Sequence, residues 1–405
     1  MAEFYTYTLA NGIRCIHRQV RSGVARCSIV INAGSRDERP NEHGMAHFVE
    51  HGLFKGTQRR KAYQVNCRLE NLGGELNAFT TKEDTTVHAT TLRGDFAKAV
   101  ELLGDIVFCS TFPAKELAKE REVIVDEINT YKDSPMDMIY DTFEDMLFEG
   151  SELGHNILGR KSDLMRHTSA SLCDFVRRNY TADQMVFASI GNISPMRVEA
   201  IARRYLEHYE TPKRTSQRVA PKLCMPFEKT VNRHTHQAHC ILGNRAYSVT
   251  EDKRLPFSLL INLLGGPCAN SRLNVSVRER NGLSYNIEAN YTPYSDSGLA
   301  VIYFSCEHEN VAHCREIIDA EIRKLQQTSL TARQLAMAKR QYISQIAIST
   351  EANEGYMLGV GRSLLVHGEV DTLEEAYRKI GAVTAEQIME VANEIWHNPS
   401  TLIYI

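Results

Sequence analysis

The stretch Ala114-Lys-Glu-Leu-Ala-Lys-Glu-Arg-Glu-Val-Ile-Val-Asp-Glu-Ile128 has a counterpart later in the chain, which reads Ala332-Arg-Gln-Leu-Ala-Met-Ala-Lys-Arg-Gln-Tyr-Ile-Ser-Gln-Ile346. Two alanines, one leucine and the final isoleucine match at one constant offset. In both stretches apolar residues recur every three or four positions without an interrupting glycine or proline, so both predict amphipathic helices. Such a recurrence indicates that the chain consists of two homologous halves.

The segments around this repeat also correspond. A second helix pattern precedes each copy, and a later helix pattern leads through a polar turn into a short apolar strand, at residues 185–190 and 401–405. We therefore predict an N-terminal domain at residues 1–210 and a homologous C-terminal domain at residues 229–405. The polar, proline-bearing segment between them, residues 211–228, is predicted to be a linker.

Each predicted domain opens with strand-like runs and then becomes mainly helical. In the N-terminal domain the first two strands are separated by Asn11-Gly12, a pair that favours a tight hairpin turn. Strands followed by pairs of helices predict an α+β fold, in which each domain is a largely antiparallel sheet with helices packed on one face.

Composition argues against several classes of protein. The net charge of −3 gives no sign of a nucleic-acid or anionic membrane partner, and no apolar run is long enough to span a bilayer. The ten cysteines are scattered without a Cys-x-x-Cys pair, which is not the pattern of a disulfide framework. Since the chain does not start with a secretory signal pattern, we expect a cytoplasmic protein with reduced, mostly buried thiols.

The sequence Ala46-His47-Phe48-Val49-Glu50-His51-Gly52 indicates metal chemistry. If it is helical, the two histidines lie one turn apart on one face, and the glutamate joins that face. Imidazole nitrogens suit zinc, and a catalytic zinc ion usually has three protein ligands and one open position for water. A glutamate that precedes the second histidine is expected to accept the proton of zinc-bound water. The alternative is a solvated helix face that carries these groups by chance.

Comparing the two halves indicates a third ligand. At the constant offset Glu120 corresponds to Ala338 and Glu127 to Gln345, and the C-terminal half also lacks a His-x-x-Glu-His motif. The half with the histidines therefore has two acids that the other half lacks, which indicates that both belong to the metal site. They lie two helical turns apart on one face, so one could bind zinc while the other supports a ligand. The alternative is that both are solvated helix carboxylates.

These residues resemble the pitrilysin family, which includes insulin-degrading enzyme and mitochondrial processing peptidase, and the resemblance covers nearly the whole chain. It rests on the inverted motif in His47-Phe-Val-Glu-His-Gly-Leu-Phe-Lys-Gly-Thr57 and on the later stretch Glu120-Arg-Glu-Val-Ile-Val-Asp-Glu127. The resemblance implies zinc (Zn2+) as cofactor, Glu50 as general base and Glu120 as a supporting acid. It implies that the zinc ligands are His47, His51 and Glu127.

Two further stretches are similar to functional segments of that family. Residues 73–80 look like its substrate-binding strand, where a peptide adds along a sheet edge; the resemblance assigns this contact to Asn77, Ala78 and Phe79. Residues 277–285 look like its arginine–tyrosine segment, in which Arg278 holds the peptide backbone and Tyr285 donates to the oxyanion. Without the resemblance, the first stretch could be an ordinary edge strand, and the second would carry almost no information.

The resemblance implies a zinc-dependent endopeptidase that hydrolyses unstructured peptides inside a clamshell chamber. Because one chain holds both the zinc motif and the arginine–tyrosine pair, we expect a homodimer with two composite sites, each joining one subunit's zinc to the other's Arg278 and Tyr285. Three alternatives stay open: a non-catalytic scaffold or partner subunit of the same fold, a regulatory protein that binds metal without turnover, and a presequence-processing peptidase.

Overall fold

The structure is a computed structural model that describes residues 3–405. Its strands are β1 Tyr5–Thr8, β2 Arg14–Gln19, β3 Val24–Ile31, β4 Glu75–Thr80, β5 Thr85–Leu92, β6 Met185–Gly191, β7 Glu228–Val231, β8 Ala238–Ala246, β9 Ser284–Pro293, β10 Gly298–Cys306 and β11 Ser400–Tyr404. Its α-helices are α1 Met45–Leu53, α2 Ala62–Glu70, α3 Phe96–Cys109, α4 Ala114–Lys132, α5 Pro135–Leu147, α6 Lys161–Leu164, α7 Ser169–Asn179, α8 Pro195–Leu206, α9 Arg254–Gly265, α10 Val311–Gln327, α11 Ala332–Thr350, α12 Asn353–His367, α13 Leu373–Ala382 and α14 Ala385–Ile395. Within residues 3–405, no helix has the length and apolar character needed to cross a membrane.

The chain forms two compact units, and each unit is assembled from separate stretches of sequence. The first unit contains the described residues up to Thr130, together with His155–Val219 and Ser349–Val370. The second unit contains Tyr131–Gly154, Ala220–Ile348 and Asp371–Ile405. Each unit has one sheet, and the predicted α+β fold with two largely antiparallel sheets and packed helices is confirmed, except that helices cover both faces of each sheet instead of one.

The first unit is built on a six-stranded sheet in the order β1-β2-β6-β3-β5-β4. All neighbouring strands are antiparallel except β2 and β6, which are parallel. One face packs on α1, α3, α7 and α8 to form the main hydrophobic core of the unit. The opposite face is covered by α12, whose buried side chains contact those of β2, β3 and β6.

The second unit is built on a five-stranded sheet in the order β7-β11-β8-β10-β9. Only the β7–β11 pair is parallel among its strands. One face packs on α9, α10 and α14, and the other face packs on α5 through Ile139, Phe143 and Leu147. The two units therefore repeat one plan, as the internal repeat predicts.

The structure corrects the predicted division into residues 1–210 and 229–405. Helix α5 lies in the N-terminal half of the sequence but packs on the second sheet, and α12 lies in the C-terminal half but packs on the first sheet. The physical reason is that each sheet has a second apolar face, which must be removed from water.

The predicted linker at residues 211–228 is also shorter than expected. Residues up to Val219 belong to the first unit, and β7 already begins at Glu228. Arg214 and Arg218 both pair with the carboxylate of Asp37, whose side chain is only 3% exposed. These buried ion pairs attach the start of the segment to the first unit. This part of the segment is therefore not a linker, in spite of its polar composition.

Two glycines of α12 allow a matched test of how closely this helix approaches the first sheet. A Cβ atom at Gly361 would lie 3.0 Å from a methyl group of Val30 and 3.1 Å from Cβ of Ala188, whereas Gly359 has no neighbour within 4 Å. We expect Gly361→Leu to lower the free energy of unfolding by about 1–3 kcal/mol through overpacking. Gly359→Leu, the same change at a position with open space around it, should raise it by up to about 1 kcal/mol. Urea unfolding measures both, and equal effects at the two positions would contradict the packing described.

Candidate metal centre

Helix α1 carries the His-x-x-Glu-His motif and begins directly after Gly44. This glycine has a φ of 84°, and a Cβ atom there would lie 2.6 Å from the carbonyl oxygen of Leu158, so a larger residue does not fit. The cap comes from Glu38, whose two carboxylate oxygens accept the N–H groups of Gly44 at 3.0 Å and Ala46 at 2.8 Å. By accepting these two N–H groups, Glu38 satisfies amides that have no partner within the helix, and so fixes the start of α1.

We expect Glu38→Gln to lower the free energy of unfolding by about 1–3 kcal/mol. The Glu38 side chain is fully buried, and His155 Nε2 lies 2.9 Å from its Oε2. The glutamine amide would place a donor where a backbone N–H now points, and would leave that N–H unpaired. Urea unfolding of the metal-free protein measures the effect, and an unchanged midpoint would contradict the capping role.

Helix α4 carries both predicted acids, and its contacts with the core determine where they point. Its buried residues are Leu117, Glu120, Ile124 and Ile128. One turn beyond Ile124, Glu127 Oε2 lies 3.8 Å from His47 Nε2 and 3.5 Å from His51 Nε2. The structure thus brings Glu127 to the two histidines of α1.

The geometry of these three side chains fits a zinc ion. His47, His51 and Glu127 each offer one ligand atom, and these atoms lie within 4.8 Å of one another. Ligands held about 2 Å from one ion in a tetrahedral arrangement lie about 3.3 Å apart. Glu127 Oε2 is buried without a hydrogen bond, so a cation would satisfy it. Two imidazoles with one carboxylate suit zinc better than magnesium or calcium, which prefer oxygen ligands.

The two histidines differ in how readily they lose a proton. Burial, together with the charge of His51, lowers the pKa of His47 to about 3. Burial also acts to lower the pKa of His51, but the hydrogen bond to Glu120 and the charges of Glu127 and Glu50 outweigh it, so this pKa is raised. Metal binding must displace the His51 proton, and metal affinity is therefore expected to fall as the pH is lowered.

Glu120 lies on the other side of the His51 ring from Glu127. Its Oε1 is 2.8 Å from His51 Nδ1, and its Oε2 is 2.5 Å from Nζ of Lys55. Burial acts to raise the pKa of Glu120, but the hydrogen bonds from His51 and Lys55 outweigh burial and lower it. The sequence motifs do not single out Lys55. The signal that could have found it is a basic residue one turn beyond His51.

Glu50 lies beside the ligand group and next to the end of strand β4. Burial raises the pKa of Glu50, while hydrogen bonds from the side chain and backbone of Thr80 act to lower it. Thr80 is the last residue of β4. A carboxylate with a raised pKa is a better proton acceptor near neutral pH than an ordinary glutamate.

The predicted substrate-contact residues Asn77, Ala78 and Phe79 lie in the middle of β4. Strand β4 pairs with β5, in a register that places Asn77 opposite His88. The order of the sheet leaves its other edge without a neighbouring strand in the described part of the chain. An extended peptide could add along this edge through backbone hydrogen bonds.

The predicted pair Arg278 and Tyr285 belongs to the second unit. Arg278 lies in a π-helix, Asn274–Glu279, and Tyr285 follows a turn at Gly282 and lies at the start of β9, an edge strand. The guanidinium carbon lies 5.1 Å from the centre of the tyrosine ring, so the two side chains form a cation–π contact. Tyr285 is 83% exposed, and the pair is open to a ligand.

Comparisons with known proteins define the class to which this chain belongs. The sequence model of insulinase, peptidase family M16, matches residues 16–161. The model described as the M16 peptidase inactive domain matches residues 166–342, which agrees with the absence of a His-x-x-Glu-His motif from the second half. The protein described as uncharacterized zinc protease YmxG of Bacillus subtilis is 31% identical over 403 residues, covering 98% of this chain and 97% of that protein.

Other relatives agree with this match. An uncharacterized zinc protease of Mycobacterium tuberculosis is 31% identical over 401 residues, covering 96% of this chain and 90% of its own length. A crystal structure of a protease from Helicobacter pylori superposes with a TM-score of 0.91 at 20% identity over 99% of both chains, which shows a shared fold. The chain belongs to the M16, or insulinase, family of peptidases.

Proposed function

We propose that the protein is a zinc-dependent endopeptidase that hydrolyses unstructured peptides. The observation that carries this proposal is the convergence of His47, His51 and Glu127. Glu50 lies beside them and next to the end of β4, whose outer edge has no neighbouring strand in the described part of the chain. A fold alone does not define activity, but this site combines metal ligands, a candidate base and a surface for an extended chain.

The three ligands would hold zinc, which polarises a scissile carbonyl and lowers the pKa of water when bound. Glu50 would accept the proton of the attacking water and later donate it to the leaving amine. Glu120 would keep His51 oriented by accepting the hydrogen bond from its Nδ1.

Strand β4 would bind the substrate backbone through its free edge, at Asn77, Ala78 and Phe79. Backbone hydrogen bonds contribute affinity without reading side chains, so the sequence preference would be weak. Because only an extended segment can add to a sheet edge, the substrate must be unfolded locally. A folded protein of similar sequence is therefore expected to resist cleavage.

Arg278 would hold the peptide backbone and Tyr285 would donate to the oxyanion that forms when water attacks. We propose that they act across a homodimer, in which each site combines one subunit's metal ligands with its partner's arginine–tyrosine pair. Mixing Glu50→Gln protein with Tyr285→Phe protein, followed by subunit exchange, tests this arrangement. Recovery of activity in the mixture supports composite sites, and two inactive variants that stay inactive when mixed oppose them.

A cytoplasmic location is part of the same proposal. All ten cysteines are free thiols, and five of them are buried. A reducing compartment keeps thiols in this state. Cell fractionation with antibodies to the protein would test the location.

The first experiment is cleavage of a quenched fluorescent peptide without stable structure by the zinc-loaded protein. We expect turnover that is lost on treatment with a chelator, restored by zinc, and absent from Glu50→Gln protein. Zinc binding without turnover, in both the single chain and the dimer, would contradict the proposal. It would instead favour a partner subunit or a regulatory protein that uses the same site for metal alone.

A further inference from the structure

Lys55 contacts the carboxylate that holds a metal ligand, and not the ligand group itself. Its ammonium nitrogen lies 2.5 Å from Glu120 Oε2, and the other oxygen of that carboxylate lies 2.8 Å from His51 Nδ1. We propose that Lys55 is a positioning residue that acts through Glu120 to fix His51 as a zinc ligand. This inference rests on the proposed binding of zinc, and not on peptide cleavage.

Each oxygen of Glu120 has one charged or polar donor. The Glu120 side chain is 9% exposed and that of Lys55 is 23% exposed, so both contacts are largely shielded from water. Charge-assisted hydrogen bonds of this kind are short and directional. A nearly buried carboxylate that loses one of its two donors would turn toward solvent or take up a proton. Either change would loosen its hold on the imidazole.

The backbone that carries Lys55 is itself fixed. Lys55 N–H donates to the carbonyl of Gly52 at the end of α1. Beyond it, Thr57 Oγ1 donates to Asp105 at 2.9 Å, and Arg60 pairs with the same carboxylate at 2.5 Å. Asp105 lies in α3 and is fully buried. The segment after α1 is therefore attached to α3 on the far side of Lys55, and the ammonium group has a defined position.

The consequence for His51 is a defined ring orientation. With Nδ1 committed to Glu120, Nε2 faces Glu127 at 3.5 Å. His47 differs, because its Nδ1 is buried and has no hydrogen-bond partner. Of the two histidine ligands, His51 is therefore held by hydrogen bonds to outer residues, and His47 is held only by packing. The chain of contacts behind His51 ends at Lys55.

Two explanations of the role of Lys55 predict opposite effects of its removal on zinc affinity. If the ammonium group acted only as a nearby positive charge, its removal would strengthen binding of a divalent cation, since like charges repel. If it acts by positioning Glu120, its removal weakens binding, because outer partners of metal ligands typically contribute about 10–100-fold in affinity. The sign of the change therefore distinguishes them.

The test is zinc affinity of the full chain, measured by competition with a chelating dye in the absence of peptide. We expect Lys55→Met to weaken zinc binding about 10-fold, and Lys55→Arg, which keeps the charge, to restore most of the affinity. Lys119→Met is the matched control, because it removes a lysine of α4 that pairs with Glu116 and is 63% exposed. Its zinc affinity should not change.

The same measurement in a Glu120→Gln background shows whether Lys55 acts through that residue. There, Lys55→Met should cause no further weakening. Unchanged or tighter zinc binding by Lys55→Met in the otherwise native chain would overturn the inference, as would equal weakening in both backgrounds. If Lys55→Met does not fold, Lys55→Gln replaces it with the same expected direction.

Failure of the proposed peptidase activity would leave this result intact, because zinc affinity is measured without substrate. Cobalt(II) provides a second readout, since its visible absorption reports the geometry of the ligands. We expect the absorption bands of the Lys55→Met protein to shift relative to those of the native and Lys55→Arg proteins. Identical bands in all three proteins would count against a change in the orientation of His51.

Discussion

Glu127→Gln is expected to weaken zinc binding strongly. Loss of an outer partner of a ligand typically lowers the affinity about 10–100-fold, and the loss of this ligand should lower it further. The substitution keeps the shape of the side chain but removes the negative charge that faces His47 Nε2 and His51 Nε2 at 3.8 and 3.5 Å. A neutral amide oxygen is a poorer zinc ligand than a carboxylate. Competition with a chelator measures the change, and turnover at limiting zinc should fall with it.

Glu122→Gln is the control for this result. It makes the same chemical change on the exposed face of α4 and should leave zinc affinity unchanged. Glu120→Gln should fall between the two, because Glu120 contacts Nδ1 of His51 and lies outside the group of ligand atoms. A larger loss with Glu120→Gln than with Glu127→Gln would reverse the assignment of the two acids.

Glu50→Gln is expected to lower kcat about 10²–10⁴-fold while zinc stays bound. The amide fills the same space but cannot accept a proton from water. Zinc content measured by elemental analysis should match that of the native protein, since Glu50 is not one of the three grouped ligands. A variant that loses its zinc, or that keeps native kcat, would exclude Glu50 as the base.

The pH profile of the native protein, measured with zinc in excess so that loss of the metal does not contribute, should report the same group. A general base must be ionised to act, so kcat/KM falls as the pH drops below its pKa. Because burial raises the pKa of Glu50, the acidic limb should lie at higher pH than for an ordinary glutamate. A profile that stays flat down to the usual range of glutamate would contradict this environment.

Much of the fold could be predicted from the sequence because the chain repeats itself. The repeated stretches begin at Ala114 and Ala332, and the observed helices α4 and α11 begin at the same two residues. Periodicity is a local property, and these segments carry it strongly. The short strands predicted at the ends of the halves also form, as β6 and β11.

The exchange of α5 and α12 could not be predicted in the same way. Periodicity shows which face of a helix is apolar, but it does not show which sheet covers that face. Both helices have suitable faces, and both follow closely after a helix of their own half. Only the packing decides their place, and a division by sequence order therefore assigned them to the wrong units.

The candidate site, like the fold, could be predicted only in part from the sequence. Spacing in a helix placed His47, His51 and Glu50 together, and the comparison of the two halves singled out Glu120 and Glu127 without separating their positions. The structure separates them, because the two acids meet opposite nitrogens of His51. The contacts of Lys55 and of Glu38 depend on turns and on burial, which residue spacing does not encode. The contacts proposed for β4 with a peptide stay a prediction.

The exchanged helices also bear on how the protein is made. All six strands of the first sheet have left the ribosome once β6 has emerged, but α12 begins only at Asn353. Until then the nascent chain carries a face with Val30, Val186 and Ala188 that α12 later buries. Domains made in order usually fold as they emerge, yet this one must wait until residues 353–367 have been translated. A chain that stops before α12 would leave this apolar face exposed to water, and a large exposed apolar patch favours aggregation.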